Sequence, residues 1–358
     1  MALVDTFTFL YRSKPCKKDF QDIGCPVLHT GSYAHTITAK VTEEKLAIIK
    51  KDPALLSAEP DCALMLAQYN IEKYLPAKKI VHIGAKQILP WNIERVLQGA
   101  PLGSGQGIKI GIIDTGIDYA HPDLAGNIKG GINLLNSKKR PLDDNGHGTH
   151  IAGIIAAINN NIGVVGVASS ASLYAIKVLD SKGAGSLINL IKGIEWAIAK
   201  KIQILNISIS GGQLVSRALN KTIQAADERG IVIVAAAGNT GSPTGRGDTV
   251  QIPARIKPVI AVAALNNQNK RDKYSATGTT IDLAAPGTKI LSTYHKKRYA
   301  YLSGTSMAAA HVSGVLAIYK KKFPNSSPSR LCSTAKRRAR PLGNVGNSHT
   351  GWGIISAR

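Results

Sequence analysis

The chain of 358 residues has few aromatic side chains, few cysteines and no long hydrophobic segment. Aromatic residues make up 5% of it, and no apolar run reaches the roughly 18 residues that a membrane-spanning helix needs. Three of the four cysteines lie before residue 63, without the spacing of zinc ligands. Neither a disulfide scaffold nor a cysteine metal site is therefore predicted. The 44% of hydrophobic residues is typical of a globular protein with a complete core.

The first ten residues also lack the pattern of a secretory signal. They carry Asp5 and are soon followed by charged residues, with no apolar segment between a basic start and a cleavage site. We expect either a protein that stays in the cytoplasm or one whose signal lies outside this sequence.

Acidic residues are scarce, at 22 against 45 basic ones, which gives a net charge of +23. Residues 1–85 hold 11 basic and 9 acidic side chains, whereas residues 86–358 hold 34 and 13. From Lys320 onward there are nine basic residues and no acidic one. A solvated cationic surface is the favoured interpretation. The alternative is attraction to a polyanion such as nucleic acid, an anionic envelope or an acidic substrate, although no nucleic-acid-binding motif accompanies the charge.

The N-terminal part is predicted to form a small α+β unit that ends near Lys79. Residues 1–30 are predicted to be irregular. Residues 35–41 alternate like a strand, and Thr42 precedes Glu43 and Glu44, which predicts an N-cap with acids in the first helical turn.

The remainder predicts an α/β fold. Five nearly continuous apolar segments indicate buried strands, at 108–113, 173–178, 202–207, 231–235 and 259–262. Helical patterns at 186–200 and 217–228 lie between them. This alternation is typical of a three-layer sandwich with a mostly parallel central sheet. Ligand sites in such sheets lie beyond the carboxyl ends of the strands.

Four polar residues stand at those positions. Asp114 follows the first strand, His147 and Ser306 each precede an apolar helix, and Asn239 follows the strand 231–235. Together they predict nucleophilic catalysis: Ser306 attacks a carbonyl, His147 takes the proton, Asp114 fixes the histidine, and Asn239 with the Ser306 N–H binds the oxyanion.

Each signal alone has other interpretations. His147 and His150 could form a metal pair, but no acidic third ligand stands nearby at helical spacing. An esterase would carry a Gly-x-Ser-x-Gly elbow, which is missing. The glycines at 103, 105 and 107 precede a predicted strand. The glycine motif of a dinucleotide-binding fold follows its strand, so this class of site is not predicted.

The local sequences around these residues closely resemble those of the subtilisin-like serine proteases. The matching blocks are residues 112–118 (IIDTGID), 121–124 (HPDL), 145–153 (NGHGTHIAG), 193–198 (GIEWAI), 237–239 (AGN) and 304–308 (GTSMA). The resemblance covers about residues 86–356. It implies a serine endopeptidase of broad specificity that acts on polypeptides through an acyl-enzyme and is a monomer.

Residues 34–82 resemble the inhibitory propeptide of that family. The resemblance implies a propeptide at 1–85, a catalytic domain at 86–358 and self-cleavage near Ala85–Lys86, because Gln87 and Pro90 match the start of mature relatives. It also implies that the propeptide assists folding and inhibits the enzyme. A permanently attached N-terminal domain without an inhibitory role is the alternative.

The resemblance also implies the substrate site. A peptide would pair as a strand with Ser208, Ile209 and Ser210 on one side and Gly183, Ala184 and Gly185 on the other. Ala236, Ala237 and Gly238 would wall the first specificity pocket, with Gln251 at its base, where relatives often carry glycine.

Structural Ca²⁺ is implied as well. The strong site would use side chains of Gln87, Asp123 and Asn160 and carbonyls of Ile158, Ile162 and Val164. A plain polar turn is the alternative. A weaker site would use carbonyls of Ala254, Ile256 and Val259 with Asp282.

The sequence departs from the family pattern at three positions: Ala310, just after Ser306, and Ser169, in a loop, replace usual prolines, and Ser210 replaces a common glycine in the substrate strand and could crowd a bound peptide. None removes a chemical group from the catalytic set.

The alternative function is an inactive scaffold of this family that binds a polyanion. The resemblance to this family favours export from the cell, whereas the missing secretory signal favours a cytoplasmic location.

Overall fold

The computed structural model describes residues 4–67, 69–75, 87–102, 104–343 and 347–358. Within these ranges, no helix combines the length and the apolar character that crossing a membrane requires. The predicted cleavage point at Ala85–Lys86 lies outside the described residues.

A seven-stranded, all-parallel sheet forms the centre of the larger unit. Its spatial order is β15-β14-β13-β11-β7-β9-β8. The strands are β7 (Lys109–Asp114), β8 (Ile128–Asn133), β9 (Ser172–Lys177), β11 (Ile204–Ile207), β13 (Val232–Ala236), β14 (Ile260–Leu265) and β15 (Ile281–Pro286). Chain order reverses beside β7, since β9 lies on one side of it and β11 on the other. This reversal opens a crevice at the carboxyl end of β7.

Helices cover both faces of this sheet. The helices of the larger unit are α3 (Trp91–Leu97), α4 (His147–Ala156), α5 (Leu187–Ala199), α6 (Arg217–Glu228), α7 (Thr305–Lys322), α8 (Pro328–Arg338) and α9 (Asn347–Thr350). Alternate residues of each strand enter different cores: Val232 and Val234 pack with α4 and α7, whereas Ile233 packs with α5 and α6. The predicted three-layer sandwich is therefore confirmed.

The smaller unit is a four-stranded antiparallel sheet in the order β2-β3-β1-β4. It consists of β1 (Val4–Tyr11), α1 (Lys17–Asp22), β2 (Val27–Thr30), β3 (Thr36–Thr42), α2 (Glu43–Ile49) and β4 (Leu55–Pro60). Thr42 caps α2 as predicted, since its hydroxyl accepts from the Lys45 N–H. The prediction that residues 1–30 are irregular is wrong. Strand β1 lies inside the sheet, and Phe9 and Phe20 pack in its core.

Two further strands join the units. Strand β5 (Ala63–Leu66) lies between β10 (Ala184–Ser186) and β12 (Ile209–Ser210), antiparallel to both. Strand β6 (Asn70–Leu75) pairs with β17 (Arg298–Ser303), which also forms a hairpin with β16 (Ile290–Tyr294) and is the central strand of the three. Strands β5 and β6 thus lie along the carboxyl edge of the central sheet, where the polar residues of interest stand.

Candidate active site

Three different elements position the predicted catalytic side chains. Asp114 ends β7 at the crevice, His147 is the first residue of α4, and Ser306 is the second residue of α7. Helices α4 and α7 pack against each other on the same face of the sheet. Each side chain therefore stands on a rigid element, and all three are fully buried.

Asp114 holds the imidazole of His147. The His147 Nδ1 lies 2.8 Å from one carboxylate oxygen of Asp114 and 2.9 Å from the other. The Thr115 N–H also donates to this carboxylate, at 2.8 Å. Gly148 permits the approach, because a Cβ at that position would meet the Gly116 carbonyl oxygen at 2.1 Å. With Nδ1 donating to the carboxylate, Nε2 carries the lone pair that can accept a proton.

Two atoms of the predicted catalytic set have no hydrogen-bond partner among the described residues. The Ser306 Oγ and the His147 Nε2 are buried, and neither hydrogen-bonds to any part of the chain that the structure describes. Unpaired buried polar atoms are rare and call for an explanation. Ser306 also lies at the N-terminus of an 18-residue helix, where free N–H groups favour negative charge.

Asn239 is oriented by its own side-chain oxygen. That oxygen accepts hydrogen bonds from the backbone N–H and the hydroxyl of Thr305, at 2.9 and 2.8 Å. The amide nitrogen is consequently turned to the opposite side, next to Gly304, where a Cβ would lie 3.2 Å from it. The Asn239 amide nitrogen is thus held beside Gly304, which precedes Ser306 by two residues.

The two predicted substrate-binding segments enclose strand β5. Met65 pairs with Ala184 on one side and with Ser210 on the other. The Leu66 N–H donates to the Gly183 carbonyl, at 2.9 Å. Ser210 takes part in this ladder, so the serine does not crowd out an extended peptide.

Gln251 lies against the wall formed by residues 236–238. Its backbone N–H donates to the Ala237 carbonyl at 2.9 Å, and its amide lies 3.3 Å from the Thr240 hydroxyl. The ideal Cβ position on Gly238, whose φ is +112°, would be 3.0 Å from the Gln251 Cγ. The glutamine side chain therefore occupies space beside the pocket wall.

Most of the residues predicted for the strong calcium site converge. The Gln87 amide contacts the carbonyls of Ile158 and Val164 and the Asn160 side-chain oxygen, at 2.5, 2.9 and 3.3 Å. Asp123 lies beside them and accepts from the Val164 N–H at 2.9 Å.

One oxygen of that Asp123 carboxylate, Oδ1, is buried and has no hydrogen-bond partner within the ranges that the structure describes. Burial raises the pKa of Asp123 to about 6. An unpaired buried carboxylate oxygen beside several neutral oxygens fits a hard cation. No cluster of three or more acidic, histidine or cysteine side chains occurs in the described ranges, so such a site would depend on neutral oxygens.

Asp282 does not fit the weaker calcium site. Its Oδ1 lies 2.7 Å from the Lys336 ammonium and 3.3 Å from that of Lys257, and its Oδ2 accepts from the Ala261 N–H. The carboxylate is thus already neutralised by two lysines, which disfavours a cation near Ala254, Ile256 and Val259.

The structure adds contacts that local sequence patterns did not reveal. Tyr69 packs on His147: its ring centroid lies 4.8 Å from that of His147, and its hydroxyl donates to the Asn145 side-chain oxygen at 3.1 Å. His29 of the smaller unit pairs with the buried Glu195 of α5 at 2.8 Å. These partners are far apart in the chain, so no spacing pattern could identify them.

Comparison with known proteins agrees with this geometry. The family model described as "Subtilase family" matches residues 105–353. Subtilisin E of Bacillus subtilis (strain 168) is 38% identical over 347 residues, which is 96% of this chain and 85% of the relative. The thermostable alkaline protease of Halalkalibacterium halodurans is 39% identical over 334 residues, 92% of this chain and 84% of the relative. M-protease of Shouchella clausii is 35% identical over 340 residues, 94% of this chain and 82% of the relative.

The family match spans more than half of the chain, and the relatives are matched over most of their length. The arrangement of Asp114, His147, Asn239 and Ser306 at the carboxyl edge of the sheet agrees with this match. The chain belongs to the subtilase family and is a serine-type endopeptidase.

Proposed function

We propose that Ser306 is the nucleophile, His147 the general base and acid, and Asp114 the residue that orients His147. The Ser306 Oγ adds to the carbonyl carbon of the scissile bond while its proton moves to His147 Nε2. The amine then leaves with that proton, and water hydrolyses the acyl-enzyme by the reverse proton path. The single observation that carries this proposal is the buried Asp114–His147 pair, beside which the His147 Nε2 and the Ser306 Oγ hydrogen-bond to no described residue.

The oxyanion would be bound by the Asn239 amide and the Ser306 N–H. Thr305 orients the amide before the reaction begins, so no reorganisation is needed as charge develops. Donors arranged in this way typically contribute about 3–4 kcal/mol each to transition-state stabilisation.

Residues 1–85 would act as a propeptide and residues 86–358 as the catalytic domain. Support comes from the smaller unit, which has its own core and contacts the larger one through charged side chains. Strand β5 occupies the substrate segments as a peptide would, so the uncut chain inhibits itself. The enzyme would act on unfolded polypeptides with broad specificity, since the pairing uses backbone groups.

Members of the family bind structural calcium. In this chain we infer that Gln87, Asp123, Asn160, Ile158, Ile162 and Val164 hold one ion. Rotating the Gln87 amide by 180° would direct its oxygen toward the ion. The ion would tie the start of the catalytic domain to the loop after α4 and so stabilise the fold without taking part in the reaction.

The test is casein hydrolysis by the wild type beside Ser306→Ala, with and without a serine-reactive sulfonyl fluoride. We expect the wild type to release peptides, to lose this activity on sulfonylation, and to carry the label on Ser306. Ser306→Ala should show neither activity nor label. A wild type that folds, shows no hydrolysis after removal of its N-terminal part by another protease and takes no label would refute the proposal in favour of an inactive scaffold.

A further inference from the structure

The last residue of strand β9 is a buried lysine that the proposed mechanism does not use. Lys177 lies beside Asp114 in the parallel pairing of β9 with β7, and its side chain is 5% exposed. Removing an ammonium group from water is costly, so it persists only where other groups pair with it and accept its hydrogen bonds. The partners of Lys177 therefore indicate what this side chain does.

The Lys177 ammonium has one acceptor for each of its three N–H groups. It donates to the Thr115 carbonyl at 2.5 Å, to the Leu179 carbonyl at 2.9 Å and to the Asp144 carboxylate at 2.7 Å. An ammonium has three donors and no acceptor, so this set is complete. The three partners belong to three segments: the chain that leaves β7, the chain that leaves β9 and the loop before α4.

The first partner is the residue that supports Asp114. The Thr115 N–H donates to the Asp114 carboxylate at 2.8 Å. The Thr115 hydroxyl accepts from the Gly148 N–H, in the first turn of α4, at 3.0 Å and donates to the Asp143 carboxylate at 2.8 Å. Since Lys177 holds the carbonyl of the same residue, Thr115 is fixed through its N–H, its side chain and its carbonyl.

Asp144 belongs to the loop that presents the base. Asp143 folds this loop by accepting from the N–H groups of Asn145 and Gly146, at 3.0 and 2.8 Å. His147 follows directly and begins α4. The ion pair of Asp144 with the lysine therefore attaches this loop to the end of β9, three residues before the imidazole.

We propose that Lys177 is a positioning residue for catalysis: its ammonium ties the end of β7 to the loop before α4 and so holds Asp114 and His147 in register. This inference deepens the proposed function and rests on it. The ammonium does not touch the reacting atoms and acts by keeping the imidazole in line with Ser306. Because Asp144 carries the opposite charge, the pair adds no net charge beside the catalytic groups.

The first measurement uses full-length Ser306→Ala, which keeps the Asp114–His147 pair and cannot hydrolyse itself. The proton between the His147 Nδ1 and Asp114 gives a low-field NMR signal in water, and its exchange rate reports how firmly this hydrogen bond is held. We expect Lys177→Met to shift the signal and to speed its exchange by about threefold or more, because a loop that is held less firmly opens more often. Lys129→Met, at an exposed lysine of the sheet-edge strand β8, should leave the signal unchanged. An unchanged signal in Lys177→Met would overturn the inference.

The second measurement is peptide hydrolysis by full-length protein that another protease has activated, with active sites counted by sulfonyl-fluoride titration. Lys177→Met should lower kcat about tenfold, which is part of the roughly 100-fold that a misplacement of 1 Å costs. KM should change by less than about twofold, because the substrate segment is held by Asp180, which accepts from the N–H groups of Lys182 and Ala184 at 2.9 Å each. A variant that melts at a lower temperature but keeps the wild-type kcat would show that the lysine only stabilises the fold. That result would overturn the inference and leave the proposed function intact.

A double-mutant cycle tests whether the effect passes through Asp144. Asp144→Ala should lower kcat by about threefold, and Lys177→Met/Asp144→Ala should be no slower than Lys177→Met alone, since both changes remove one contact. Losses that multiply would show that the two residues act separately, which contradicts the inference.

Two further outcomes are also decisive. If Lys177→Met does not fold by circular dichroism, Asp144→Ala decides, because its side chain is 54% exposed and a wild-type kcat in this variant would overturn the inference. If the activated wild type itself hydrolyses no peptide, the proposed function fails, and the NMR signal in Ser306→Ala still decides whether Lys177 holds the Asp114–His147 pair.

Discussion

The carboxylate of Glu59 accepts a hydrogen bond of 2.9 Å from the backbone N–H of Arg217, the first residue of helix α6. It also accepts one of 2.5 Å from the Ser216 hydroxyl. Asp61 does the same for α5, where it accepts from the Ile188 N–H at 3.0 Å. Two acids of the N-terminal part thus stand at the positive ends of two neighbouring helices of the catalytic part, which favours their association.

Removing the Glu59 carboxylate should release the cut N-terminal unit sooner. Hydrogen bonds to a charged group contribute about 1.5–3 kcal/mol, so Glu59→Ala should weaken the complex roughly tenfold or more. We expect a shorter lag before casein hydrolysis begins after self-cleavage. The lag is measured on full-length protein whose cleavage is complete by gel.

Glu44→Gln is the matched control, since Glu44 is an exposed acid in the first turn of α2 within the same unit. Its lag should equal that of the wild type. An unchanged lag in Glu59→Ala would show that the helix-capping contacts do not hold the unit in place.

The local sequence predicted the strands that are apolar along their whole length because both of their faces are buried. The apolar segments became β7, β9, β11, β13 and β14, and the turns after them carry the polar residues of the site. Two sheet-edge strands were missed, because Ile128–Asn133 contains two glycines and a lysine and Ile281–Pro286 contains Asp282. Strand β1 was missed although its threonines and phenylalanines alternate.

The long-range contacts could not have been predicted. His29 and Glu195 are 166 residues apart, and either alone is an ordinary charged residue. The positions of β5 and β6 depend on three separate strand pairings, none of which leaves a local pattern.

Replacing Asp123 should abolish stabilisation by calcium. A ligand that binds only the folded state stabilises it by about 2.7 kcal/mol at one hundred times its dissociation constant. Since Asp123 is the one carboxylate in the proposed set, Asp123→Asn in the Ser306→Ala background should show the same melting temperature in calcium and in chelator.

Asp282→Asn provides the comparison for that measurement. Its carboxylate is already paired with Lys336 and Lys257, so its calcium-dependent rise should match that of Ser306→Ala alone. A full calcium response in Asp123→Asn would place the ion elsewhere.

Shortening Gln251 should widen the specificity pocket. With Gln251→Gly, the space beside Gly238 becomes available to the residue before the cut. One extra methylene group changes kcat/KM by about 10–200-fold in an apolar pocket, so the ratio of kcat/KM for phenylalanine over alanine should rise at least tenfold. The ratio is measured with a matched pair of peptide substrates. Gln213→Gly, at an exposed glutamine, should keep the wild-type ratio, and an unchanged ratio in Gln251→Gly would remove that residue from the pocket.

Two buried histidines should make the fold sensitive to mild acid. Burial lowers the pKa of His150 to about 3 and that of His311 to about 4, from 6.5 for a free histidine. His150 Nε2 lies 3.0 Å from the Ile290 carbonyl, and His311 Nδ1 lies 2.7 Å from that of Met307. The unfolded chain therefore takes up protons below pH 6.5 that the folded chain refuses, so stability is full above that pH and falls as pH decreases.

Each histidine contributes about 1.4 kcal/mol per pH unit to this loss between pH 6.5 and its folded pKa. Urea unfolding of Ser306→Ala at pH 7, 6, 5 and 4.5 should thus show a decline of about 2.7 kcal/mol per unit from the two residues together. Adding His311→Gln should lower stability at pH 7, because the buried hydrogen bonds to Met307 and Asn92 are altered. It should also make the decline shallower by about one proton's contribution. Parallel curves for the two proteins would show that His311 takes up its proton equally in both states, and acid sensitivity would then have to arise from other groups.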